Sequence, residues 1–167
     1  MEPRCEYEHG RIIPMASPTH RHNDIMAMLY AHLRQYARQM QAGTVAMEVD
    51  VALPTGVGFI PDLSFIRRER EREVLTPTGK IRGVPDLVVE VLSPSSRTRD
   101  SVHKLRAYHE AGVPWYWLVD SESLTLHEFQ HTPEGYLLRT TAEGGEIFQS
   151  KALDGFTLDL KALIDEG

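Results

Sequence analysis

The segment DLVVEVLS, residues 86–93, carries a carboxylate in the middle of an apolar run. As a strand it is apolar enough to be covered on both faces. An ionised Glu90 in that position is costly unless it is paired, hydrogen-bonded or bound to a metal. An oxygen-ligand site for Mg²⁺ is one solution. A second acid, Asp62, opens the shorter run PDLSFI at 61–66, and an adjacent strand could bring it to the same ion. Two carboxylates on neighbouring strands, with water and a phosphate oxygen, make a Mg²⁺ site suited to phosphodiester hydrolysis. Such a site also needs a cation beside the phosphate. Lys104 lies in the helical segment that follows the Glu90 strand and can reach back over the strand end.

Other side chains have open readings. Asp86 belongs to a second Pro-Asp pair and shares a strand face with Glu90, so it could reach the site or hydrogen-bond the loop entering the strand. Glu48 lies opposite Met47 and Val49 if one strand runs through 45–51, as a ligand or on a solvated face. His22, in HRHNDI, could touch a substrate phosphate or a metal-bound water, or could cap and pack a helix. Tyr108 stands one turn beyond Lys104, either to orient it or as core. Ser93, Ser95 and Ser96 lack the G-x-S-x-G elbow of a nucleophilic serine and read as helix caps.

The elements that must position these residues follow from periodicity. Ile25, Met28, Leu29, Leu33, Tyr36, Ala37 and Met40 recur at three- and four-residue spacing, predicting a helix within 19–42. Ser17 or Thr19 can cap it, and Gly43 follows its last turn. Alternating Val45, Met47, Val49 and Val51 predict a strand, PDLSFI a second and DLVVEVLS a third. Residues 67–83 read as a polar surface excursion, with RRERERE a solvated loop or helix. A second helix is expected over 99–111, capped by Ser96, Thr98 or Asp100 and ended by Gly112. WYWLVD at 115–120 is another buried strand, with Trp115 and Trp117 on one face as core or dimer interface. LTLHEFQ, GYLLRTT and EIFQS follow at hairpin spacing, then GFTLDLKALI as a strand turning into a helical turn. This order predicts a mixed α/β domain built around one sheet.

The block at 85–120, PDLVVEVLSPSS followed by Lys104, Tyr108 and AGVPWYWLVD, with PDLSFI upstream, resembles the Uma family of restriction-endonuclease-like proteins. That family belongs to the PD-(D/E)xK nuclease superfamily. The similarity runs from EHGRIIPMASPTHRHNDI to GFTLDLKALI, nearly the whole chain. It implies an α/β, restriction-endonuclease-like core in αβββαβ order around a central mixed sheet, followed here by a C-terminal antiparallel β-meander. The superfamily's PD aspartate falls on Asp62, behind Pro61, and its (D/E)xK acid on Glu90. Leu92 stands where the usual lysine would be; relatives carry a lysine on the next helix instead, and Lys104 holds that position. Relatives also resemble this chain in having a histidine at the position of His22. The resemblance implies that Asp62, Glu90 and Lys104 are catalytic. It implies a metal held by Asp62, Glu90 and the backbone carbonyl of Val91, the metal being Mg²⁺ with Mn²⁺ able to substitute.

The bulk properties suit this reading. At 167 residues, with 41% hydrophobic and 25% charged, the chain fits one soluble globular domain, residues 1–167. No apolar run approaches the ~20 residues of a membrane span, and a cytoplasmic protein is expected. A single cysteine, Cys5, excludes an intrachain disulfide or a cysteine-rich zinc site. A net charge of −6 argues against a general nucleic-acid coat. Within 67–106, however, ten Lys and Arg face six acids, and Arg97 and Arg99 there are the expected substrate-phosphate contacts. The expected function is a Mg²⁺-dependent endonuclease with double-stranded DNA as partner, working as a homodimer because a duplex has two strands to cut. The alternatives are a non-catalytic nucleic-acid-binding or assembly module retaining the fold, and a hydrolase of a small phosphoester.

Overall fold

The chain's first long helix forms because one of its faces is apolar. Residues 4–15, 18–94 and 99–164 are described by a computed structural model, without the side chains of 99 and 100. Helix α1, His20–Met40, begins where the Thr19 side chain accepts the His22 N–H at 3.1 Å. Its buried stripe is His22, Ile25, Met26, Leu29, Leu33 and Ala37. Met28 and Met40, read from sequence as part of that stripe, are exposed, and Met26 is buried instead. The helix ends on Gln41 in the left-handed conformation, so Gly43 is not its cap. Gly43 serves a different need: at φ +150°, a Cβ there would sit 1.9 Å from the carbonyl oxygen of Ile66.

The main sheet has six strands. They are β3 (Gly43–Met47), β6 (Leu63–Arg67), β8 (Leu87–Leu92), β9 (Trp115–Asp120), β10 (Thr125–Thr132) and β11 (Gly135–Ala142). Their spatial order is β11-β10-β9-β8-β6-β3, so β8 is central. β8 is antiparallel to β6 and parallel to β9. A parallel neighbour demands a crossover, and α3 (Arg99–Ala111) supplies it, ending where Gly112 takes a positive φ. The sequence α1, β3, β6, β8, α3, β9 is the expected αβββαβ core, and β10 and β11 extend it as the antiparallel meander. EIFQS does not join them: β12 (Ile147–Gln149) pairs with β13 (Thr157–Asp159) in a separate ribbon, followed by a 3₁₀ turn at Leu160–Leu163.

A smaller five-stranded sheet lies beside this core. Its strands are β1 (Cys5–Glu8), β2 (Arg11–Pro14), β4 (Val51–Ala52), β5 (Gly58–Phe59) and β7 (Ile81–Arg82), in the order β2-β1-β5-β4-β7. The strand expected over 45–51 is therefore two strands. It breaks at Glu48, whose φ of 51° ends the alternation, and the chain passes to the second sheet. The run RRERERE takes the helical of its two readings and stays solvent-facing. It forms a 3₁₀ turn and a short helix, α2 (Glu71–Val74), whose Val74 is buried with Ile81.

These layers divide the core in two. Leu87, Val89 and Val91 of β8 face α1, among Ile25, Leu29 and Leu33. Val88 faces the other way, among Phe59, Ala107, Tyr108 and Tyr116. Glu90, two residues on from Val88, is thereby set on the α3 side of the sheet.

Candidate active site

The β6–β8 ladder sets Leu63 opposite Val89, and one step along the same register brings Asp62 opposite Glu90. Directly opposed residues share a face. Both acids are buried, at 8% and 6% exposure. Asp62 lies just before the start of β6, where its side chain stands in for a strand neighbour. Its Oδ2 accepts the Val91 N–H at 2.7 Å and contacts His22 Nε2 at 3.2 Å. His22 reaches it because it begins the buried stripe of α1, one turn before Ile25. In a strand, N–H and C=O of one residue point to the same side. The Val91 carbonyl thus faces the Asp62 side, while the Leu92 carbonyl turns to accept the Ser121 N–H.

Lys104 and Tyr108 come from α3, where positions 104, 107, 108 and 111 form the face laid on the sheet. Tyr108 donates its hydroxyl to Glu90 Oε1 at 2.7 Å. Lys104 is 7% exposed and turned inward. Its Nζ is 3.7 Å from Glu90 Oε1 and 3.3 Å from Glu6 Oε1, and it stands 5.7 Å from the centre of the Phe59 ring. The ammonium therefore faces acids on one side and an aromatic ring on the other.

Carboxylates outnumber cations in this cluster. Burial pushes the Glu90 carboxyl up to about 8; Lys104 opposes that rise, Asp62 adds to it, the Tyr108 hydroxyl opposes it and Glu6 adds to it. Burial works against a charged His22, but its contact with Asp62, the nearby Asn23 and the charge of Glu90 outweigh this and raise its pKa. A charged His22 donates from both ring nitrogens, to Asp62 and to Asn23. Tyr108 is raised well above the ordinary phenol value, by burial first and then by Glu90.

The donor set fits a hard dication. Both contacts on Asp62 use Oδ2, and both on Glu90 use Oε1, so Asp62 Oδ1 and Glu90 Oε2 are uncommitted among the described residues. Among the same residues, no three His, Cys, Asp or Glu side chains converge as a ready-made cage. Mg²⁺ takes one or two carboxylates and keeps several waters, and Asp62 and Glu90 supply two carboxylates. A positive ion held by these carboxylates would also oppose the burial and, secondarily, the Asp62 repulsion that raise the Glu90 pKa.

Other residues singled out by sequence lie elsewhere. Asp86 is at the opposite end of β8, about 13 Å of strand from Glu90. Its Oδ2 accepts the Arg67 N–H at 2.8 Å and its Oδ1 pairs with Arg70 at 2.9 Å, so it serves the loop entering the strand. Glu48 pairs with Arg4 at 2.7 Å on the surface. Arg97 lies outside the described residues, as does the side chain of Arg99. Several basic side chains of this segment have partners within the chain: Arg67 bonds the Ala152 carbonyl and Arg70 pairs with Asp86, while Arg68 meets Gln41 and Lys80 meets Asp50 on the surface. Trp117 is core, and its indole N–H bonds the buried Glu128 at 2.9 Å.

Two residues at the site have no counterpart in the sequence reading. Glu6 and Glu8 of β1 are each 7% exposed. Glu6 meets Lys104, and Glu8 pairs with His103. The signal was CEYE, an alternation with acids on one face and Tyr7 on the other.

No curated protein matches the chain. Its fold is similar to that of a crystal structure from Anabaena variabilis, named a "putative nuclease belonging to DUF820". The TM-score is 0.75 at 20% identity, over 98% of this chain and 90% of that one. A family model, Uma2, described as "Putative restriction endonuclease", matches residues 1–161. With the αβββαβ core and that match over nearly its whole length, the chain belongs to the Uma2 family.

Proposed function

We propose that this chain is a divalent-metal-dependent endonuclease that hydrolyses phosphodiester bonds in DNA. The observation that carries this is the apposition of Asp62 and Glu90 across β6 and β8, with Lys104 turned in beside them. The residues that would hold Mg²⁺ or Mn²⁺ are Asp62, Glu90 and the Val91 carbonyl. Such an ion, when bound, polarises the phosphate and makes a bound water more acidic.

The chain's own residues do the rest. The Val91 N–H and His22 fix the orientation of the Asp62 carboxylate. The Tyr108 hydroxyl fixes that of Glu90. The Lys104 ammonium stabilises the charge that develops on the phosphoryl oxygens, in a partly dry setting where that interaction is strong. A symmetric homodimer would offer one such centre to each strand of a duplex.

A second reading, a catalytically silent module with the same fold, draws support from the acidic net charge of −6. Nicking of supercoiled plasmid in Mn²⁺ separates the two. The nuclease reading expects nicking by wild type, its loss with EDTA, and its loss in Asp62→Ala. Cutting that survives EDTA, or a wild type that does not cut, sinks that reading. A protein that hydrolyses only a small phosphoester and leaves plasmid intact would sink the DNA substrate.

A further inference from the structure

The N-terminal hairpin closes one side of the acid–lysine cluster, and the face it turns inward is acidic. On β1 the carboxylates of Glu6 and Glu8 are buried while Tyr7 between them is half exposed. That reverses the usual strand pattern, and buried carboxylates need partners. Glu6 Oε1 accepts the Ile60 N–H at 3.1 Å and stands 3.3 Å from Lys104 Nζ. Glu8 pairs with His103, the residue before Lys104. The same Lys104 ammonium is 3.7 Å from Glu90 Oε1. It is therefore shared between carboxylates of two different sheets, and the nearer one is not the proposed metal ligand.

That sharing has a chemical consequence. A lysine drawn only by Glu90 would settle on it and cancel the charge a dication needs. Glu6, pinned by a backbone N–H, offers the ammonium a second anchor. We infer that Glu6 is a positioning residue, holding the Lys104 ammonium beside Glu90 rather than upon it. Glu90 is then left for the metal and the amine for the phosphate. This rests on the metal-nuclease reading above and adds the device that keeps its two charged parts from neutralising each other.

A double-mutant cycle on the full chain tests it, with plasmid cleavage in Mn²⁺ for wild type, Glu6→Gln, Lys104→Ala and the double variant. Glutamine keeps an acceptor for the Ile60 N–H while removing the charge and exchanging the other oxygen for an NH₂ donor. Glu6→Gln is expected to lower kcat by about 10–100-fold, the usual effect of losing a group that orients a metal site, with little change in KM. In the Lys104→Ala background it is expected to do little, because its effect passes through that amine. An equal loss in both backgrounds, or no loss in the first, overturns the inference. Acylation by acetic anhydride, read by peptide mass spectrometry, gives a second readout that needs no activity. Lys104 should react several-fold faster in Glu6→Gln, and Lys80, paired with Asp50, should not change. If wild type fails to cut, the nuclease reading falls, and this contrast alone decides whether Glu6 holds Lys104. An unchanged Lys104 rate means that it does not.

Discussion

Tyr108 donates its hydroxyl to Glu90 Oε1 at 2.7 Å, joining α3 to the central strand inside the core. That bond favours the charged form of Glu90 against the burial that raises its pKa to about 8. Tyr108→Phe removes the donor and keeps the volume. The carboxyl should then ionise at still higher pH, and Mn²⁺ affinity near neutrality should fall by about 10–100-fold. The cleavage–pH profile should move to the alkaline side. A profile and an affinity both matching wild type would mean that the hydroxyl is only a packing group.

Glu90→Gln should make the metal-free protein more stable while removing its activity. The folded carboxyl titrates at about 8 against an ordinary 4.5. Folding is therefore favoured by this group below the unfolded pKa, and that advantage is lost as pH rises through the folded one. The gap between variant and wild type should widen from pH 5 to pH 8 and then level off, reaching on the order of 2–4 kcal/mol. Urea unfolding in EDTA across that range measures it. Saturating Mn²⁺ should narrow the gap by binding the native wild type. A variant less stable than wild type at pH 8 would contradict this.

Asp62 has a structural duty that the alanine variant exposes. Removing its carboxylate leaves the buried Val91 N–H without the acceptor it has at 2.7 Å, at about 1–3 kcal/mol. Asp62→Asn keeps an acceptor oxygen and should lose less stability. Both variants should be inactive. Equal stability of Asp62→Ala and wild type in urea would show that Val91 finds another partner.

The long, strongly periodic elements were legible in the sequence. Helix α3 runs over 99–111 as read, and β8 over 87–92. Glu90 stood out because a carboxylate contradicts its apolar neighbours. What was hidden depended on the tertiary neighbour. Glu6 and Glu8 sit on a strand of four residues with its acids inward, and nothing local reveals that α3 will cover them. Glu48 lies in an unbroken alternation, yet its positive φ turns the chain into another sheet. Asp86 repeats the Pro-Asp signal of Asp62, but Arg67 and Arg70 claim it at the far end of the strand.

The other buried acid, Glu128, separates stability from chemistry. Fully buried, it accepts from the Trp117 indole at 2.9 Å, the Ser150 hydroxyl at 2.6 Å and the backbone N–H groups of Lys151 and Ala152 at 2.7 and 3.3 Å. Glu128→Gln turns a donor toward that ring of donors and should cost about 3 kcal/mol or more. Trp117 fluorescence should report the loosening. Cleavage per folded molecule should stay at the wild-type level, since none of these partners meets Asp62 or Glu90. A large loss of specific activity would place Glu128 in the machinery after all.

Whether Asp62 and Glu90 share one dication is decided by calorimetric titration of Mn²⁺ at pH 8.5, above the Glu90 pKa of about 8. Wild type should bind Mn²⁺ saturably, and Asp62→Asn and Glu90→Gln, each folded as judged by circular dichroism, should not. Wild type that takes up no Mn²⁺, or variants that bind it as tightly as wild type, would contradict the claim that these two carboxylates hold one ion.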